Sequence, residues 1–157
     1  MCKKPWLTVF CGTLICLILF VFLTADTKPE DTYAQIEKSL DTKFDELSNL
    51  VSTYQGAYFD KNNDEFILFA DLFDADLISV DLRGPDNAVF SFCTSQLETG
   101  IELIFRADDY LMLLPGVFLE KDMNELRVDG LGINQSGYIF CKRIKQCWFY
   151  YEIFIPT

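Results

Sequence analysis

The chain reads as an α+β protein: an N-terminal transmembrane helix, then an amphipathic helix packed on an antiparallel β-sheet that ends in a C-terminal hairpin. Three observations predict this. Eighteen uncharged residues run from Trp6 to Leu23. Apolar residues then recur at threes and fours up to Tyr54, and beyond Gly56 the repeat shortens to short alternating runs separated by turn residues.

As a helix, the stretch Trp6 to Ala25 is long enough to cover a hydrocarbon layer of about 30 Å. Lys3 and Lys4 stand before it and Asp26, Glu30 and Asp31 follow it, so the N-terminus is expected in the cytoplasm and residues 26–157 outside. A cleaved signal peptide has an apolar core of roughly 7–15 residues before an A-x-A-like site. Here the run is longer, and bulky Leu23 stands three residues before a cut after Ala25. The pattern favours an uncleaved signal-anchor in residues 1–25; cleavage would make the domain secreted.

Thr27 is placed to cap the second helix, with Glu30 completing a capping box and Pro29 in the tolerated first turn. Its stripe is Tyr33, Ile36, Leu40, Phe44, Leu47, Val51 and Tyr54, giving a helix over about 27–54. Lys43 falls on the seam of a strict heptad, so the stripe is expected to pack on a sheet and not in a coiled coil.

The β-rich part is expected over 57–157, with about five to seven strands. Phe66 to Ala70, Leu77 to Leu82, Ala88 to Thr94 and Ile101 to Arg106 are the first candidates, punctuated by turns at 60–64 and 84–87. Asp108 to Glu125 is ambiguous between a strand broken at Pro115-Gly116 and short helical pieces. Asp129 to Gly137, with three glycines, reads as loop. Tyr138 to Cys141 and Cys147 to Ile155 form the hairpin. A turn at Arg143–Lys145 sets Cys141 opposite Cys147, Phe140 opposite Trp148 and Tyr138 opposite Tyr150, close enough for a Cys141–Cys147 disulfide.

Set apart from Lys3 and Lys4, the exported residues hold eleven basic side chains against 24 acidic ones, a formal charge of −13. That argues against nucleic acid and anionic lipid as ligands of the general surface, and suits a basic protein partner. Fifteen Phe, seven Tyr and two Trp supply a genuine core. The chain has no histidine, which removes Ser-His and Cys-His nucleophiles and most catalytic zinc sites. No cofactor is called for.

Asp60-x-Asn62-x-Asp64 begins like a calcium loop, but Glu65 occupies the position that needs glycine, so no metal site is expected. Asp71, Asp74, Asp76 and Asp81 fit a solvated edge better than the paired carboxylates of a small hydrolase. Cys93 reads as a buried structural thiol, and Asn134-Gln135-Ser136 is a glycosylation sequon. The basic cluster Lys142, Arg143 and Lys145, beside Trp148 and Tyr150, is the candidate binding site, because Arg, Trp and Tyr dominate interface energetics.

These features together predict a membrane-tethered, non-enzymatic protein-interaction module of the cell envelope, with an inhibitor or immunity-type role as one concrete form. The layout of membrane helix, amphipathic continuation, antiparallel sheet and C-terminal Cys pair resembles the minor pilin plan in outline, which implies an assembly subunit. It departs from that plan at the processing site: Gly12 is followed by Thr13, and Leu17, not Glu, stands five residues on.

Overall fold

The computed structural model describes residues 29–94, 96, 98–108 and 110–156. The predicted membrane segment over 1–25, with Cys2, Cys11 and Cys16, and the capping Thr27 lie outside them. Among the described residues no helix is long and apolar enough to cross a membrane.

Helix α1 spans Pro29–Thr53 and carries Glu30 and Asp31 in its first turn, where carboxylates offset the positive end of the helix dipole. Ile36, Leu40, Leu47 and Val51 are buried on its sheet-facing side. The helix kinks at Lys43 (φ −124°, ψ 22°), and Lys43 Nζ donates to the carbonyl of Asp71 at 2.5 Å. The cation on the heptad seam thus marks the kink and ties α1 to the loop it crosses.

Among the described residues seven strands form one antiparallel sheet: β1 (Tyr58–Asp60), β2 (Leu77–Gly84), β3 (Asn87–Phe92), β4 (Thr99–Arg106), β7 (Glu125–Leu131), β8 (Gly137–Lys145) and β9 (Trp148–Phe154). Their order is β1-β2-β3-β4-β9-β8-β7. Between β4 and β7 the chain makes a separate two-stranded hairpin, β5 (Leu111–Leu114) and β6 (Val117–Leu119). The ambiguous stretch 108–125 therefore resolves as strands, turned at Pro115-Gly116 with Gly116 at φ +84°, as a Pro-Gly turn requires.

Two expectations are corrected. Phe66–Ala70 is a five-residue helix, α2, and not a strand; the turn before it, with Asn63 N–H bonded to Asp60 O at 3.0 Å and Phe66 N–H to Asn63 O at 3.1 Å, winds the chain into helical bonding. A short apolar run has no period that separates the two states. Residues 129–131 complete β7 instead of a loop, with a bulge between Asp129 and Leu131 where Gly130 takes φ +85°.

The C-terminal register is also corrected. The turn lies at Gln146-Cys147, with Gln146 at φ +48°; Cys141 pairs with Tyr151, Lys142 with Tyr150, Phe140 with Glu152 and Tyr138 with Phe154. Each pairing differs from the expected one by four positions along β9. An even slip leaves every side chain on the same face, so apolar patterning could not distinguish the two registers. Cys141 and Cys147 are accordingly not opposed, and Cys93, Cys141 and Cys147 are all free thiols; Cys93, expected to be buried, is exposed because it lies just past the end of β3.

The sheet buries both faces. On one, α1 and α2 close a cluster that includes Phe69, Phe90, Leu103, Trp148 and Tyr150. On the other, the β5–β6 hairpin lays Leu111, Leu113 and Leu119 over Val89, Ile104, Ile139, Cys141 and Phe149.

Candidate functional site

The basic residues of the C-terminal hairpin do not form one patch, because the sheet divides them. Lys142 and Lys145 lie along α1: Lys142 Nζ is 4.7 Å from the Tyr33 ring centre. Lys145 Nζ is 4.7 Å from that of Phe44 and 3.9 Å from Asp41 Oδ1. A hydrogen bond with Tyr33 holds Lys142 above the ordinary lysine pKa.

Arg143 points to the opposite face, its guanidinium 4.6 Å from the Phe149 ring centre. Its Nη1 donates to Gln146 O at 3.0 Å and its Nη2 to Glu120 O at 3.4 Å, while its N–H donates to Asn124 O at 2.7 Å. Trp148 and Tyr150, expected to widen the contact, are 2% and 1% exposed. They are core. The cations cap aromatic rings.

A second polar feature lies at the start of α1. Glu152, 7% exposed, accepts hydrogen bonds from the hydroxyls of Tyr138 and Tyr150. Burial, then the Glu152 hydrogen bond, pushes the Tyr138 phenol up to about 12; burial also raises Tyr150 and Tyr33. Arg127 lies 4.0 Å from the Tyr138 ring centre. Pro29, Glu30, Arg127 and Glu152 border a cavity of about 480 Å³. With both carboxylate oxygens accepting from phenols, Glu152 acts as a strut between β8 and β9.

The third feature is the outer side of the β5–β6 hairpin. A two-stranded ribbon buries only one of its faces, yet Leu111–Leu114 and Val117–Leu119 are apolar throughout. Leu111, Leu113 and Leu119 face the sheet, which turns Met112 and Phe118, a cross-strand pair, outward. Met112 is 56% exposed, Tyr110 46% and Phe118 38%. The rings of Tyr110 and Phe118 meet edge to face with centres 5.9 Å apart. They form walls of a cavity of about 500 Å³ whose remaining lining is Glu120, Lys121 and Asp122.

The other sequence candidates have structural duties. Asp60 Oδ1 accepts from the Asn62 N–H at 2.9 Å, and the Asp60 N–H donates to Asn63 Oδ1 at 2.9 Å, a polar turn at the end of β1. Asp74 pairs with Lys38 at 2.7 Å and Asp81 with Arg83 at 2.6 Å; the Lys38 hydrogen bond holds Asp74 below the usual carboxylate pKa. Among the described residues no group of three or more His, Cys, Asp or Glu is placed to hold a metal ion. The sequon occupies the exposed turn between β7 and β8.

No protein-family model, curated protein or solved structure matches this chain. Sequence reasoning passed over the outer hairpin surface although a signal was present: Tyr110 to Leu114 and Val117 to Leu119 are apolar at every position except Pro115-Gly116 between them. If such a segment is a hairpin, one apolar face must remain uncovered by it.

Proposed function

We propose that the chain is a membrane-tethered, non-enzymatic protein-interaction module whose domain stands outside the cytoplasm, and that it meets its partner through the outer face of β5–β6. The observation that carries this reading is the Tyr110, Met112 and Phe118 surface, three large apolar side chains exposed side by side on one ribbon. Aromatic residues and methionine are enriched at protein contact surfaces, and contiguous exposed apolar area marks such sites. The uncharged run Trp6 to Leu23 behind Lys3 and Lys4 supports the tether. An inhibitor or immunity-type role is the concrete form that an acidic envelope domain suits.

A photo-crosslinking amino acid placed at Phe118 or Met112 of the full chain, in the cells that make it, tests the reading. Discrete adducts with one protein are expected from those two positions and none from Ile133, which is 89% exposed in the turn between β7 and β8. Adducts equally frequent from Ile133, or none from the hairpin, would refute it. Protease added outside intact cells should digest the domain; N-terminal sequencing that begins at Asp26 would replace tethering by secretion.

A further inference from the structure

The open depression beside Phe118 has a lining that narrows the partner further. Its walls are the Tyr110 and Phe118 rings, and its rim is the exposed turn Glu120-Lys121-Asp122. Two carboxylates stand there beside the Lys121 ammonium, with the Arg143 guanidinium bonded to the Glu120 carbonyl next to them, on a chain whose overall formal charge is −11. A side chain that fills such a site needs an apolar stem for the rings and a cationic head for the carboxylates. Arginine meets both demands best, since its guanidinium stacks on aromatic faces and forks onto carboxylates.

Resting on the interaction reading above, we infer that the outer face of β5–β6 receives an arginine-bearing, positively charged segment of a partner protein, with the guanidinium seated between Tyr110, Phe118, Glu120 and Asp122. A second copy of this chain is a poorer occupant, because it would set one strongly acidic chain against another. An anionic lipid surface meets the same repulsion.

Met112 provides a direct reporter. The chain contains three methionines, Met1, Met112 and Met123, so methyl-labelled methionine gives three assignable NMR signals in the full chain held in zwitterionic nanodiscs. The probes are a short peptide alternating leucine and arginine and its twin with neutral citrulline for arginine. The arginine peptide should shift the Met112 signal saturably, and the citrulline twin should bind roughly tenfold or more weakly. Added salt should weaken the first and spare the second. The double variant Glu120→Gln, Asp122→Asn should remove the preference while leaving the peptide-free Met112 signal in place, which shows that the hairpin is intact.

Equal binding of the two peptides would overturn the inference and leave the interaction reading standing, as would a Met112 shift that follows protein concentration without peptide or appears only with anionic vesicles. Failure of both peptides to shift Met112 would also overturn it. The crosslinking experiment alone decides the broader reading.

Discussion

The two faces of the sheet are covered by different means. On one side a 25-residue helix and the short α2 lie across the strands, and rings interlock behind them: Phe69 with Phe90 at 6.1 Å, Phe73 with Phe92 at 5.1 Å, Phe90 with Trp148 at 5.7 Å. On the other side the cover is a hairpin that contributes Leu111, Leu113 and Leu119. A helix with 3.6-residue periodicity buries its apolar stripe and turns a charged side to water. A ribbon apolar on both sides seals one surface by creating another. One cover completes a core, whereas the other leaves an apolar skin facing outward.

Trp148→Ala should show the largest effect, a loss of about 3–5 kcal/mol, because a fully buried indole leaves a large void. Denaturant unfolding measures it. Leu119→Ala, at 0% exposure, should cost nearer the lower end of about 2–5 kcal/mol, with the loss concentrated in the hairpin. Hydrogen exchange should then quicken at Leu111 to Leu119 and stay slow at Phe90 and Leu103. Equal quickening everywhere would mean that the two faces form one cooperative unit.

The alkaline limb of stability comes next, and it belongs to the helix side. The Tyr138 phenol is raised from 10.0 to about 12 in the folded protein, so the folded state keeps a proton that the unfolded chain releases. Its contribution is full below about pH 10 and is lost as pH climbs towards about 12. Tyr138→Phe should therefore flatten the fall in the denaturation midpoint over that window. An unchanged slope would show that Tyr138 does not govern it.

The smallest expected effect is that of a reductant. A bridge between Cys141 and Cys147 would typically add about 2–4 kcal/mol, but Cys141 pairs with Tyr151 and its thiol is free. The midpoint should not move on reduction. Burial also lifts the Cys141 thiol pKa to about 12, so native alkylation should modify exposed Cys93 well before it. A mapped Cys141–Cys147 peptide would restore the abandoned register.

The legible parts of this fold are those in which local chemistry and long-range packing agree. The stripe from Tyr33 to Val51 marked α1 and its buried side, and Gly84-Pro85-Asp86-Asn87 and Pro115-Gly116 marked turns. The register of β8 and β9 was not legible, because a slip by an even number of residues keeps Trp148 and Tyr150 on the same face. What selects it is distant: β9 also pairs with β4, Trp148 against Phe105 and Phe149 against Ile104.

The candidate site divides along the same line. Sequence by itself determined the acidic charge, the absence of histidine, the uncharged N-terminal run and the residue types able to make contacts. Tertiary structure alone decided which of those residues reach the surface. It sent Trp148 and Tyr150 inward, placed Lys142 and Arg143 on opposite faces, and left Met112 and Phe118 outside. The physical reason is that exposure belongs to what lies above a residue, and neighbours along the chain do not specify the layer that the fold lays over them.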